Sequence, residues 1–401
     1  MDLKNLNGAK RAIVIGGMCA LSYLAVYIAR NVLSAVTPQL LEGGFFSNET
    51  IGTMSSIYFI TYAVGQLING LIGDKIKAKY MITLGLLLAG VSNVVFAFFT
   101  KSIVSSFVAY GAVGFFLSMI YAPMTKVVAE NTEPVYTTRC SLGYEFASLL
   151  GSPLAGFLAA FLVWQSVFLT SSGFLIVIGV VFFLVFSLLE RKGIIKYNQF
   201  KRQKQSGGAI KVLIKHNIVK FTLVALLTGV VRTAVMFWLP TYINQYLNFS
   251  TKTSSLIFTV ASLVISTTTF ITIFIYEKLG HNMDLTVLLC FSVSAISFFL
   301  VFLVEAPVLN IALMVIAIMS SNGAATMLWS RYCPSLRDTG MVSSATGFLD
   351  FMSYMAAAVS SKAFANAVST IGWSNIILVW FALMLLGVAV SLPYRKILKK
   401  A

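Results

Sequence analysis

The sequence predicts an all-α membrane protein whose twelve transmembrane helices form two pseudo-symmetric six-helix bundles. Three observations carry that expectation. Of 401 residues, 58% are hydrophobic and only 10% charged, with a mean hydropathy of +0.88, too little polar surface to clothe a soluble globule. Apolar runs of about 20 residues, enough to cross ~30 Å of hydrocarbon, recur twelve times along the chain. A pattern also repeats between the halves. Arg30 stands eight residues before Pro38 in YIARNVLSAVTP, and Arg232 eight before Pro240 in VRTAVMFWLP. From there 44 residues lead to Asp74 and 45 to Glu277, and a lysine follows each acid. Parallel repeats of this kind place a binding site at mid-membrane between halves.

The runs fall at about residues 12–40, 50–73, 80–99, 103–130, 138–162, 166–189, 218–246, 253–277, 284–304, 308–331, 340–367 and 373–394. Residues 1–190 are expected to form the first bundle, 191–217 a basic linker and 218–401 the second bundle. The first run, from Ala12 to Val36, has no small-residue cleavage site and contains Arg30, so it reads as a retained helix. Lysine and arginine collect at Lys4, Lys10 and Arg11, at Lys75, Lys77 and Lys79, from Arg191 to Lys220, and from Arg395 to Lys400. The opposite loops hold only Lys101, Lys252 and Lys362, which predicts cytoplasmic termini by the positive-inside rule. The compact termini suggest a bacterial inner-membrane protein. Glycine and small-residue runs such as GSPLAGFLAA are expected at close helix crossings.

Composition also excludes function classes. The net charge of +16 comes from short clusters between apolar runs, which is membrane topology and not a nucleic-acid face. Cys19, Cys140, Cys290 and Cys333 have no metal spacing and read as packing residues. With no phosphate loop and no Cys or His cluster, the sequence supports neither an enzyme nor a cofactor or metal site, and a gradient would power any transport. The two halves can bury against each other, so the chain is expected to work as a monomer in the bilayer.

An arginine at mid-membrane costs ~2.5–3.5 kcal/mol, so Arg30 and Arg232 each need an anionic partner. A guanidinium matches carboxylate or phosphate oxygens in a bidentate fork, and two of them would clamp an oxyanion. The alternative is pairing with Glu145 in GYEFAS or Asp350 in GFLDFMS. Those acids have three open roles: ion pair or gate, proton coupling, or contact with a cationic part of the substrate. Tyr27 lies one turn before Arg30, Tyr62 and Gln66 form an i, i+4 pair, and Trp238 and Tyr242 flank Pro240. These are the candidate hydrogen-bonding groups of a cavity.

The run GLIGDKIKAK, Gly70 to Lys79, resembles the loop motif of the major facilitator superfamily, and with the half repeat this resemblance covers the whole chain. Within that superfamily, Tyr27-x-x-Arg30-Asn31, Arg232-x5-Trp238-x-Pro240-x-Tyr242, and Gly347-Phe348 followed by Tyr354 resemble the organophosphate:phosphate antiporters. The resemblance implies that Arg30 and Arg232 bind the phosphoryl group of a sugar phosphate or glycerol phosphate, with inorganic phosphate as counter-substrate. In an alternating-access transporter of that kind, Asp74 and the lysines around it, Lys75 first, are expected to act at the cytoplasmic gate. Gln66 stands where close members carry lysine, and Ser148 aligns nearest to a histidine of some members. Arg30-Asn31-Val32-Leu33-Ser34 and Tyr62-x3-Gln66 are also similar to the anion:cation symporters, which implies a proton-coupled carboxylate or sugar-acid symporter as the alternative. A sensor built on the same fold is a further reading.

Overall fold

The computed structural model describes residues 8–72, 76–98, 102–197, 214, 216–336 and 342–392. Among them every regular element is helical. Among the described residues, ten helices are long and apolar enough to cross a bilayer. The eleventh span, Pro134–Phe161, has its apolar portion in Phe146–Phe161. The twelfth appears when Val342–Ser391 is divided at Gly372, whose φ of 76° and ψ of 170° break the helix in a region open only to glycine.

The spans are therefore α1 (Gly8–Glu42), α2 (Asn48–Ile72), α3 (Ala78–Phe98), α4 (Ile103–Asn131), α5 (Pro134–Phe161) and α6 (Trp164–Arg191), then α7 (Ile218–Gln245), α8 (Thr251–Lys278), α9 (Met283–Leu303), α10 (Pro307–Tyr332), α11 (342–371) and α12 (373–391). Each matches an expected run to within a few residues. Pro134 and Pro307 open α5 and α10, where the missing N–H has no intrahelical acceptor to lose. The chain divides into two compact units. The first takes residues Met1–Lys204 with Ser250–Leu263, and the second takes Gln205–Phe249 with Val264–Ala401.

In the first unit, α4 breaks after Leu117 and restarts at Tyr121, two residues before Pro123. Ser118 ties the break down, since its hydroxyl donates to the Phe115 carbonyl at 2.6 Å and accepts from Asn69 Nδ2 of α2 at 2.8 Å. Gly151 of α5 lies against the Tyr27 backbone of α1, and Gly156 lies against Ser255, Phe258 and Thr259 of α8. Small residues thus sit at close crossings, as helices packing in lipid require. Outward faces carry exposed Leu84, Leu88 and Val91 on α3 and Val177, Leu184 and Leu188 on α6, the surface that lipid covers.

Where α6 ends, Glu190 receives Lys77 Nζ at 2.6 Å and Lys79 Nζ at 2.5 Å. Lys79 is buried while Lys77 is exposed. Glu190→Gln should therefore destabilise the protein by about 1 kcal/mol, chiefly by stranding Lys79. Lys77→Gln should shift thermal unfolding in detergent by less. Equal shifts would show that the buried lysine adds nothing.

In the second unit, α7 and α10 each contain a π-helical segment, Val230–Val235 and Leu328–Tyr332. Such segments insert an extra residue in the turn and re-aim the side chains they carry. Gly229, just ahead of the first segment, meets the Ser353 backbone of α11. The α1–α5 crossing at Gly151 has its counterpart here. The four cysteines are buried and free.

Candidate functional site

Between Ser22 and Leu40 of α1 all side chains are buried except Leu24, Tyr27, Arg30, Asn31 and Gln39. Gln39 donates to the Ala159 and Leu162 carbonyls at 2.7 and 3.0 Å, and Asn31 Nδ2 to the Tyr27 carbonyl at 2.7 Å. What remains accessible at mid-helix is a strip of Leu24, Tyr27 and Arg30. A guanidinium facing hydrocarbon at that depth would be costly, which makes this strip the candidate cavity lining of the first unit.

The Arg30 guanidinium lies 5.3 Å from the Tyr27 ring centroid and 5.6 Å from that of Tyr62. Two aromatic faces beside a partly desolvated cation are worth about 1–2 kcal/mol each and limit its rotamers. The rings have their own support. Tyr62 is buried and stacks on Tyr58, Tyr58 meets Tyr110 of α4 at 5.0 Å, and Tyr27 contacts Tyr23, which reaches Tyr121 and Tyr144. The structure thus brings Tyr27, Arg30 and Tyr62 together. Gln66 is partly exposed one turn further on α2, and Ser148 is buried on α5.

In the second unit, only Arg232 and Met236 are not buried between Leu227 and Ile243. Arg232 sits inside the π-helical segment of α7, and among the described residues it makes no ion pair. Its guanidinium lies 6.0 Å from the ring of Trp329, in the π-helical segment of α10.

Trp238 and Tyr242, expected in the cavity, have their polar atoms committed within the bundle. Trp238 is 0% exposed and its Nε1 donates to the Ser361 carbonyl of α11 at 3.2 Å. The Tyr242 hydroxyl donates to Asn310 Oδ1 at 2.5 Å, and Asn310 Nδ2 donates to the Val301 and Val304 carbonyls at the end of α9. Both residues tie α7 to its neighbours and so fix Arg232 in place. Tyr354 is buried and Asp350 partly exposed on α11. The side chain of Glu145, and Asp74 and Lys75 entirely, lie outside the described residues.

Sequence reasoning missed one set. From Ser321 to Ser330 of α10 the accessible residues are Asn322, Thr326, Trp329 and Ser330, while the six others are buried. The signal was present as polar residues at i, i+4 and i+8 of an apolar run, obscured by the surrounding SSNGAATM, which reads as small-residue packing.

Comparison with known proteins fits this arrangement. The family model of the Major Facilitator Superfamily matches residues 19–361. A relative named membrane sensor protein UhpC, from Escherichia coli (strain K12), is 32% identical over 81 residues, 20% of this chain and 18% of that protein. The match thus spans under a fifth of the sensor's length. The phosphoglycerate transporter protein of Salmonella typhimurium (strain LT2) is 23% identical, with 88% of this chain and 82% of that protein covered. A crystal structure of a bacterial homologue of the human lysosomal transporter Spinster superposes with a TM-score of 0.75, covering 96% of this chain and 97% of that one at 11% identity. That likeness concerns the fold alone. A match over most of the length and a shared fold make the non-enzymatic, multi-pass membrane reading firm, and the chain belongs to the Major Facilitator Superfamily.

Proposed function

We propose that the protein transports a small phosphorylated organic anion by alternating access, in exchange for inorganic phosphate. The observation that carries this reading is that each unit leaves one arginine partly accessible at the middle of a largely buried stretch of apolar helix. A relative named for phosphoglycerate transport lends it the substrate class. A phosphate monoester carries about −1.5 to −2 charge at neutral pH, so Arg30 and Arg232 together nearly neutralise it. Without the anion two like charges disfavour closure, which makes exchange obligatory.

Tyr27, Tyr62, Gln66, Ser148 and Tyr354 complete the binding groups, and Trp238 and Tyr242 hold α7. Asp74 and Lys75 act at the cytoplasmic gate, with contacts worth only a few kcal/mol in total because both orientations must stay accessible. Glu145 and Asp350 tune the gate or coupling. The bundles are residues 1–190 and 218–401 joined by 191–217, with both termini in the cytoplasm of a bacterial cell and a monomer as the working unit.

The test is labelled phosphate uptake into proteoliposomes with and without internal phosphate, and with and without a pH gradient. Uptake that needs internal phosphate and ignores the gradient is the expected result. Gradient-driven uptake of an organic carboxylate with no phosphate exchange would overturn it in favour of a symporter. A second reading, a sensor of the same ligand, is favoured by the segment 32% identical to UhpC. It would appear as phosphate binding without exchange.

A further inference from the structure

We infer that a groove between α1 and α5 binds one anionic phospholipid, with the lipid phosphate on Arg139 and an acyl chain along two glycines deeper in. The two helices run parallel and in constant register. Gly16 packs against Cys140 and Gly151 against Tyr27, an offset of 124 in each case (140 − 16 and 151 − 27). Near their first turns lies a groove of about 260 Å³, lined from Ala9 to Ala20 on α1 and from Tyr136 to Gly143 on α5. Among the described residues its only charged lining group is Arg139. Ile13, which is 72% exposed, also lines it, and an apolar side chain that open suits hydrocarbon.

Two glycines keep the inner part of the groove open. Gly16 serves the helix crossing, since an added Cβ would strike Cys140 Sγ. Gly17 and Gly143 serve no crossing, because a Cβ at either would meet nothing within 4 Å. Glycine is the weakest helix former after proline, so two that touch no neighbour hold space for something else. By the same offset Gly143 is level with residue 19 (143 − 124), so both glycines border one stretch of the groove.

Arg139 supplies the polar end. It is exposed, and its guanidinium lies 5.7 Å from the ring centroid of Tyr136, one turn nearer the start of α5. The side chain thus leans toward the outer end of the groove, as snorkelling cations do. Residue 136 is level with residue 12 (136 − 124), which leaves about 12 Å of uncharged groove down to Ala20. Half of a ~30 Å hydrocarbon core is ~15 Å, so a single chain from one leaflet matches that length. Beyond the outer end Lys10 and Glu133, the latter beside Gly8, bring opposite charges, so Arg139 sets the sign of the ligand. A free anion would leave the apolar stretch unfilled, and a zwitterionic headgroup would bring its own cation beside Arg139. The lining stops at Ala20, about 15 Å of helix short of Arg30, so the lipid leaves the candidate cavity free.

The experiment is native mass spectrometry of the full-length protein in detergent, titrated with phosphatidylglycerol or with phosphatidylcholine of identical chains. The first phosphatidylglycerol should bind about 5-fold more tightly than the first phosphatidylcholine. Arg139→Gln should remove most of that preference and Arg139→Lys should keep it, since the headgroup contact needs the charge. Gly17→Leu, and separately Gly143→Leu, should weaken phosphatidylglycerol about 5-fold or more while leaving thermal unfolding without added lipid unchanged, because each new side chain enters open space. Equal affinity for the two lipids in the wild type, or an undiminished preference in Arg139→Gln, would overturn the headgroup contact. Unchanged binding in both leucine variants would overturn the groove. Displacement of the lipid by glycerol 3-phosphate would assign Arg139 to a free anion instead, and a dimer that Gly17→Leu dissociates would assign the groove to a second copy of the chain.

Discussion

Arg232→Lys is expected to lower phosphate exchange about 10–100-fold, and Arg30→Lys to do the same, although both variants keep their charge. The loss follows from geometry. A charge-assisted pair to an ionised oxygen contributes about 1.5–3 kcal/mol, and a lysine replaces the planar fork by one ammonium on a flexible stem. Placement matters as much as hydrogen-bond count. The Arg30 guanidinium lies against the Tyr27 and Tyr62 rings, and that of Arg232 stands beside Trp329, where π-helical turns carry both side chains. An ammonium in either place contacts the rings differently and reaches the anion with one donor direction at a time. The measurement is initial exchange rate against external phosphate in proteoliposomes, with orientation and protein content checked. Near-normal exchange in either variant would remove that arginine from the site.

Gly229→Val is expected to destabilise the second unit by about 3 kcal/mol or more, a larger effect than any single ion pair described above. An added Cβ at residue 229 would meet the Ser353 carbonyl and lie 2.6 Å from the Ser353 hydroxyl and 2.8 Å from its Cα. Backbone cannot move aside as a flexible side chain can, so α7 and α11 would have to separate. That separation would also displace Arg232, three residues on, and strain the Trp238 to Ser361 hydrogen bond on the same pair of helices. Thermal unfolding in detergent and yield of folded protein report the effect. Gly347→Val is the control, since nothing lies within 4 Å of its added Cβ. Equal stability of the two variants would show that the α7–α11 crossing can relax.

The two predictions differ in how visible their cause was in the chain. An arginine in an apolar run is conspicuous because its cost depends on the medium alone, and the run declares the medium. The spans and their number were legible for the same reason. Gly372, unremarkable in NAVSTIGWSN, sits where the sequence already placed the break between the last two spans. Gly229 and Gly151 looked no different from other glycines, because a close crossing is a property of two helices.

The sequence by itself determined the membrane class, the helix count, the half repeat, the basic loops and the placement of Arg30 and Arg232 within apolar runs. All of these follow from transfer free energy summed along a local stretch, which needs no knowledge of neighbours. Only the tertiary structure decided that Trp238 and Tyr242 brace helices from within, that α7 and α10 turn π-helical where Arg232 meets Trp329, and that Asn322, Thr326, Trp329 and Ser330 form the open face of α10. The physical reason is that in lipid every helix is apolar on most sides. Which polar group is buried against a partner and which is left facing water is set by the surfaces that surround it.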